Sequence, residues 1–284
     1  MEPIFPIYTA DLFPPLYREL EDLLGRLLPA DWDRPTVARA WRVRDVVAHL
    51  LDGDLRKLSA YRDRHLLTPG EPLRSYEDLV AFLNRLNSEW VAVTRRFSPG
   101  LLTELLAFTA PRVCELMAVL PPHEQSLFAV DWAGESESEN WLDIGREYTE
   151  RWHHQMQIRD AVGAPGLLDW RWLGPLLDLS LRALPHAYRE VPAPAGTALV
   201  IQVTGEGVRA WSLVREDAGW RLWRGPAPRP SASVTLEGDC AWRLLFNALP
   251  PDEARQRMRI EGDASLAEAL LAARSVMVLG ADGG

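Results

Sequence analysis

The chain has 284 residues, enough for a sizeable core and for two domains rather than one. With 47% hydrophobic and 25% charged residues it has an ordinary globular composition, and a net charge of −9 argues against nucleic acid or an anionic membrane as its main partner. No run approaches the roughly 18 apolar residues that a membrane helix needs, and Met1 to Leu12, with Glu2, Pro3 and Pro6, has no signal-peptide core, so a cytoplasmic location is expected.

The first two-thirds reads as helices. Leu20, Leu23, Leu24, Leu27 and Leu28 recur at helical spacing over Leu16 to Leu28. The breakers Asp31, Asp33 and Pro35 follow, and a second helix is expected from Val43 to about Leu67, closed by Pro69-Gly70. Ser75-Tyr76-Glu77-Asp78 fits a capping box opening a third helix to about Phe97. Ser98-Pro99 fits an N-cap with proline at the first helical position, opening a fourth helix towards Leu120 that Pro111 is expected to kink.

Glu135 to Asn140 is polar and loop-like. A fifth helix is expected from Trp141 to Val162, ending at Gly163 with Pro165 beyond it, and another over about Trp172 to Arg189. Val191-Pro192-Ala193-Pro194-Ala195-Gly196 reads as a linker, so domains are expected at 1–190 and 197–284. A fragment ending near Glu190 is then expected to fold alone. After it the period changes to that of strands, at Thr197 to Thr204, Val208 to Arg215, Trp220 to Trp223 and Ser231 to Leu236, with Gly205-Glu206-Gly207 as a hairpin turn. Helices at about Cys240 to Leu249 and Ala264 to Ala273 complete an α+β domain with helices on one face.

The chemistry concentrates in the fifth helix. Trp141, Ile144, Tyr148, Trp152 and Gln155 form a packing stripe, whereas Glu150 and His154, four apart, project from neighbouring turns. A carboxylate and an imidazole so placed can grip one metal ion, zinc first, with nickel and iron also suited to imidazole. An exposed Glu–His helix pair is the simpler reading of that spacing alone, and His153, three residues after Glu150, is also within reach. His49, on the flank of the second helix's apolar stripe, offers the third ligand that a catalytic metal needs; by itself it equally reads as a hydrogen-bonded boundary residue. Asp45 either accepts the second ring N–H of His49 or is a solvated first-turn acid.

Trp41-Arg42-Val43-Arg44-Asp45-Val46-Val47-Ala48-His49-Leu50 resembles the first-histidine segment of the mycothiol-dependent maleylpyruvate isomerase family. Glu150-Arg151-Trp152-His153-His154-Gln155, followed by Asp160-Ala161-Val162-Gly163, resembles that family's second ligand helix. The resemblance implies a DinB-like four-helix bundle with a metal held by His49, Glu150 and His154, so it selects His154 over His153. Ser233 to Leu245 and Ile260 to Leu266 resemble the family's sterol-carrier-like C-terminal domain, extending the likeness over nearly the whole chain. One departure stands out: the family often has an acid three residues after the second histidine, and this chain has Gln157.

A metal with three protein ligands and an open position holds a thiol as thiolate, the nucleophilic form, without a protein cysteine. The expected function is therefore a metal-dependent enzyme using a low-molecular-weight thiol such as mycothiol for isomerisation or thiol transfer. The alternatives are a metal-dependent hydrolase and a metal-binding protein without catalysis that holds a ligand or partner. The expected partners are a small-molecule substrate and the thiol. Arg221 and Arg224, with Arg209 and Arg215, are candidates for clamping an anionic cofactor, though a solvated sheet face explains them as simply. Trp211, Trp220, Trp223 and Trp242 are either pocket wall or core. Cys114 and Cys240, far apart, are expected as buried free thiols.

Overall fold

A computed structural model describes residues 1–38, 40–70 and 72–277. The chain forms two compact units: one comprises Tyr8–Phe128 and Ser138–Gly166, the other Met1–Ile7, Ala129–Glu137 and the residues from Leu167 onward.

The first unit is a helical bundle. Helix α1 (Phe13–Leu24) opens with Pro14 and Pro15 in its first turn, where missing N–H donors do no harm, and buries Phe13, Leu16, Tyr17, Leu20, Leu23 and Leu24 on one face. Helix α2 (Val43–Lys57) continues into one π turn, Leu58–Arg62, and ends short of the expected Leu67. Helix α3 (Tyr76–Thr94) starts where expected, with Ser75 Oγ accepting from the Asp78 N–H at 3.1 Å. Helix α4 (Pro99–Val119) is capped in the same way by Ser98 and carries Pro111 inside it. Helix α5 (Asn140–Val162) stops at Gly163, whose φ of 69° is the left-handed conformation that a helix C-terminus favours in glycine. Helices α1, α2, α4 and α5 pack on one another as the four-helix bundle, and α3 lies against α2, with Trp90 Nε1 donating to Ala48 O at 2.7 Å.

Helix α5 is not amphipathic as the sequence suggested: 18 of its 23 residues are buried, charged ones included. A helix buried on all sides must satisfy its polar groups internally, and this one does so through a compact ion cluster. Lys57 Nζ contacts Asp143 at 2.9 Å and Glu147 at 3.1 Å, and Arg146 bridges the same two acids. Arg151 donates to Glu147 at 2.7 Å, to Asp54 at 2.8 Å and to Tyr17 Oη at 2.7 Å, while Tyr61, placed by the π turn, donates to Asp143. Three cations face three carboxylates.

The second unit holds a six-stranded sheet in the order β1-β4-β3-β2-β5-β6, formed by β1 (Glu2–Pro3), β2 (Ala198–Thr204), β3 (Val208–Glu216), β4 (Gly219–Arg224), β5 (Ala232–Glu237) and β6 (Arg259–Gly262). All pairs are antiparallel except β2 with β5. The helices of this unit are α6 (Trp170–Ser180), α7 (Ala183–Ala187), α8 (Gly238–Leu245), α9 (Pro251–Gln256) and α10 (Ala264–Leu270). Leu177 and Leu181 meet Ile201, Val203 and Leu236 of the sheet and Leu244, Leu245 and Leu270 of α8 and α10 around a small apolar cavity. The fold is thus a helical bundle plus an α+β domain, as expected, but residues 167–190 belong with the sheet and not with the bundle. Residues 191–196, read as a linker, also run within this unit: Trp220 Nε1 donates to Val191 O at 3.1 Å and Gly196 N to Arg215 O at 2.8 Å. A cut near Glu190 would therefore strip α6 and α7 from the sheet that buries them. Strand β6 went unread because its four residues are mostly exposed and lack alternating apolar side chains.

Candidate metal centre

His49 sits two turns into α2, and Glu150 and His154 one turn apart on α5. One donor atom from each of the three lies within 4.8 Å of the others, and no second trio of His, Cys, Asp or Glu donors meets that spacing among the described residues. His154 is 7% exposed and the Glu150 side chain 29%, so the trio is enclosed on the bundle side and reachable on the other. The Trp41 ring borders it, 4.8 Å from the His49 ring and 6.1 Å from that of His154.

Four observations test whether these residues suit a divalent ion. His154 Nε2 and Glu150 Oε2 are 3.4 Å apart, long for a hydrogen bond but equal to the edge of a tetrahedron with bonds of about 2.0–2.1 Å, roughly 3.3–3.4 Å. His49 Nδ1 is buried and makes no hydrogen bond. Burial pushes the His49 imidazole well below its ordinary range, helped by His154 and opposed by Glu150. The Glu150 carboxyl, which burial alone would raise, is instead drawn down to about 2 by His153, His154 and His49. Neutral His49 and ionised Glu150 are the forms that ligate metal, so the donor set fits.

The structure also places the residues next to the trio. Asp45 does not serve His49: its Oδ2 accepts from the Arg42 N–H at 3.0 Å, closing the start of α2, and its Oδ1 lies 3.6 Å from Arg95 Nε. His153 stands outside the trio, its Nδ1–H donated to Thr149 O at 2.9 Å, and burial lowers its pKa to about 3. Gln157, read as a departure, accepts the His154 Nδ1–H on Oε1 at 2.9 Å. The sequence did not assign that role, although the i, i+3 spacing on one helix face carried the signal.

Arg221 and Arg224 are not brought together. Arg221 and Arg224 are three apart on β4 and so project from opposite faces. Arg224 is tied to Asp178 of α6, which also accepts from Trp211 Nε1 at 2.9 Å; Arg221 lies over the Trp223 ring at 4.7 Å, with Glu216 3.7 Å away. Trp211, Trp220 and Trp242 are core. Cys240 is buried, and Cys114 is half-buried with its thiol pushed up to about 11 by burial. No helix among the described residues is long and apolar enough to cross a membrane.

Comparison with known proteins bears on the family and the fold. The family profile of the mycothiol maleylpyruvate isomerase N-terminal domain matches residues 13–159, which contain all of the trio. A crystal structure of a mutant mycothiol-dependent maleylpyruvate isomerase is similar over 89% of this chain and 91% of its own, at 11% identity and a TM-score of 0.55. The corresponding structure without that mutation is similar over 83% and 86%, at 12% identity and 0.52. These likenesses are of fold. Sterol Carrier Protein 2 Like 2 from Aedes aegypti matches 36% of this chain over 97% of its own, at 17% identity and a TM-score of 0.30. No curated protein matches. With the family profile spanning more than half of its length, the chain belongs to the mycothiol maleylpyruvate isomerase N-terminal domain family.

Proposed function

We propose that the protein is a metal-dependent enzyme of the maleylpyruvate isomerase type, in which His49, Glu150 and His154 hold a divalent ion, zinc in first place, that activates a low-molecular-weight thiol. The observation that carries this reading is the convergence of His49 with Glu150 and His154 from about a hundred residues away, inside a helix pair otherwise closed by packing. Such an ion, when bound, supplies an open position at which a thiol is held as thiolate at neutral pH. The rest falls to the chain. Glu150 contributes the single negative charge of the ligand set, and Gln157 holds the Nδ1 proton of His154 so that Nε2 faces Glu150. Trp41 covers one side of the site and limits water. That the converging donors are His49, Glu150 and His154, without His153, supports a three-ligand, open site over a closed structural one.

Reversible addition of the thiolate to a conjugated cis alkene, rotation about the resulting single bond, and loss of the thiolate regenerate both thiol and isomerised product. Purified protein is therefore expected to contain about one divalent ion per chain and to isomerise maleylpyruvate only when mycothiol is added. His49→Ala is expected to lose both metal and turnover while keeping the helical circular dichroism of the wild type. Undiminished metal in His49→Ala, measured by elemental analysis, would remove the central assignment.

A further inference from the structure

We infer that Gln157 is a positioning residue which fixes the His154 tautomer without adding charge, so that the metal centre keeps an uncancelled positive charge and selects an anionic ligand at its open position. The inference rests on the metal reading given above. Gln157 and His154 are 5% and 7% exposed, and the hydrogen bond between them is 2.9 Å. Because Oε1 can only accept, Nδ1 must carry the proton, which leaves the lone pair of Nε2 directed towards Glu150 Oε2.

The neighbouring acids are committed elsewhere. Asp45 binds the Arg42 N–H. Asp52 is 3.0 Å from Arg56 Nε. Asp54 accepts hydrogen bonds from Tyr17, Thr109 and Arg151, and Asp143 and Glu147 belong to the Lys57–Arg146–Arg151 cluster. His49 Nδ1 has no partner at all. A divalent ion beside Glu150 and two neutral imidazoles therefore retains one positive charge that no outer carboxylate offsets. A second carboxylate at residue 157 would make His154 a better donor but cancel that charge. The chain has the neutral acceptor, which suits a thiolate or a substrate carboxylate better than a neutral ligand.

Two variants separate the two parts of this inference. Gln157→Leu removes the acceptor, and Gln157→Glu keeps it and adds a charge. Zinc affinity is read at fixed neutral pH by competition with a chromophoric chelator, and anion affinity by titrating the cobalt-loaded protein with thiocyanate and following its visible spectrum. Gln157→Leu is expected to weaken zinc binding on the order of 10–100-fold. Gln157→Glu is expected to restore it and to weaken thiocyanate binding on the order of tenfold. Wild-type zinc affinity in Gln157→Leu would overturn the positioning role. Unchanged thiocyanate affinity in Gln157→Glu would overturn the charge argument, and that arm stands even if the leucine variant does not fold. A wild-type protein that takes up no zinc would instead overturn the metal reading, and this inference with it.

Discussion

Lys57→Met tests the energetics of the ion cluster that lets α5 run through the centre of the bundle. Lys57 is 4% exposed and touches two buried carboxylates, at 2.9 and 3.1 Å. Methionine keeps most of the volume and removes the charge. Asp143 then retains Arg146 and Tyr61, and Glu147 retains Arg146 and Arg151, but the cluster carries one unbalanced negative charge. Breaking a buried pair at one end costs about 3–5 kcal/mol, and the remaining cations place this case near the lower limit, about 3 kcal/mol. That corresponds to a drop of roughly 6–12 °C in Tm for a unit of this size. The control is Arg85→Ala on exposed α3, whose 4.0 Å pair with Glu89 is worth less than about 1 kcal/mol.

The variant also changes the pH dependence. Asp143 and Glu147 lie below their ordinary values of 3.8 and 4.5: burial alone would raise them, but Lys57 and Arg146 outweigh it, with Arg151 also acting on Glu147. Depressed carboxyls give stability that is complete above the unfolded values and lost as pH falls through the folded ones. The wild type should thus lose stability progressively below about pH 4.5, and Lys57→Met should show a shallower acid slope. Adding Glu147→Gln to Lys57→Met should recover about 1 kcal/mol or more by restoring the balance of charge. The assay is urea unfolding followed by far-ultraviolet circular dichroism between pH 3 and pH 8. A Lys57→Met protein as stable as the wild type at neutral pH, with the same acid slope, would refute the reasoning.

His154→Ala should lose metal, whereas His153→Ala should keep it and lose only stability, because His153 lies outside the trio of converging donors and its Nδ1–H bonds Thr149 O; elemental analysis with a melting curve tells these apart, and the reverse pattern would mean that the i, i+3 pair ligates. Gly262→Ala should destabilise the sheet unit by at least about 2 kcal/mol, since φ is 80° there and a Cβ would clash with the Ser231 carbonyl oxygen; an unchanged unfolding midpoint would count against the β5–β6 register.

Much of the fold was legible because it depends on local rules. Ser75, Ser98-Pro99 and Gly163 mark helix ends through the backbone chemistry of caps, which needs no distant partner. The change from helical to alternating spacing after Gly196 likewise located four strands and the Gly205–Gly207 turn. The candidate trio was readable in part: spacing offered Glu150 with either histidine, and the family resemblance chose His154. That Arg221 and Arg224 cannot share a ligand also lay in the sequence, since positions three apart on a strand face opposite ways.

What the tertiary structure decided are matters that pairing across the chain determines. An acid or arginine on α5 has the same local appearance whether it faces water or a buried counter-ion, so the Lys57–Asp143–Glu147–Arg151 cluster exists only once α1, α2 and α4 close around that helix. For the same reason the proline-rich segment 191–196 passed for a boundary, although hydrophobic burial places α6 and α7 on the sheet side. The sequence by itself determined where elements begin and end and which residues bear chemistry. Only packing decided which of those residues meet, because a contact between His49 and His154 is a property of two helices folded against each other and not of either helix alone.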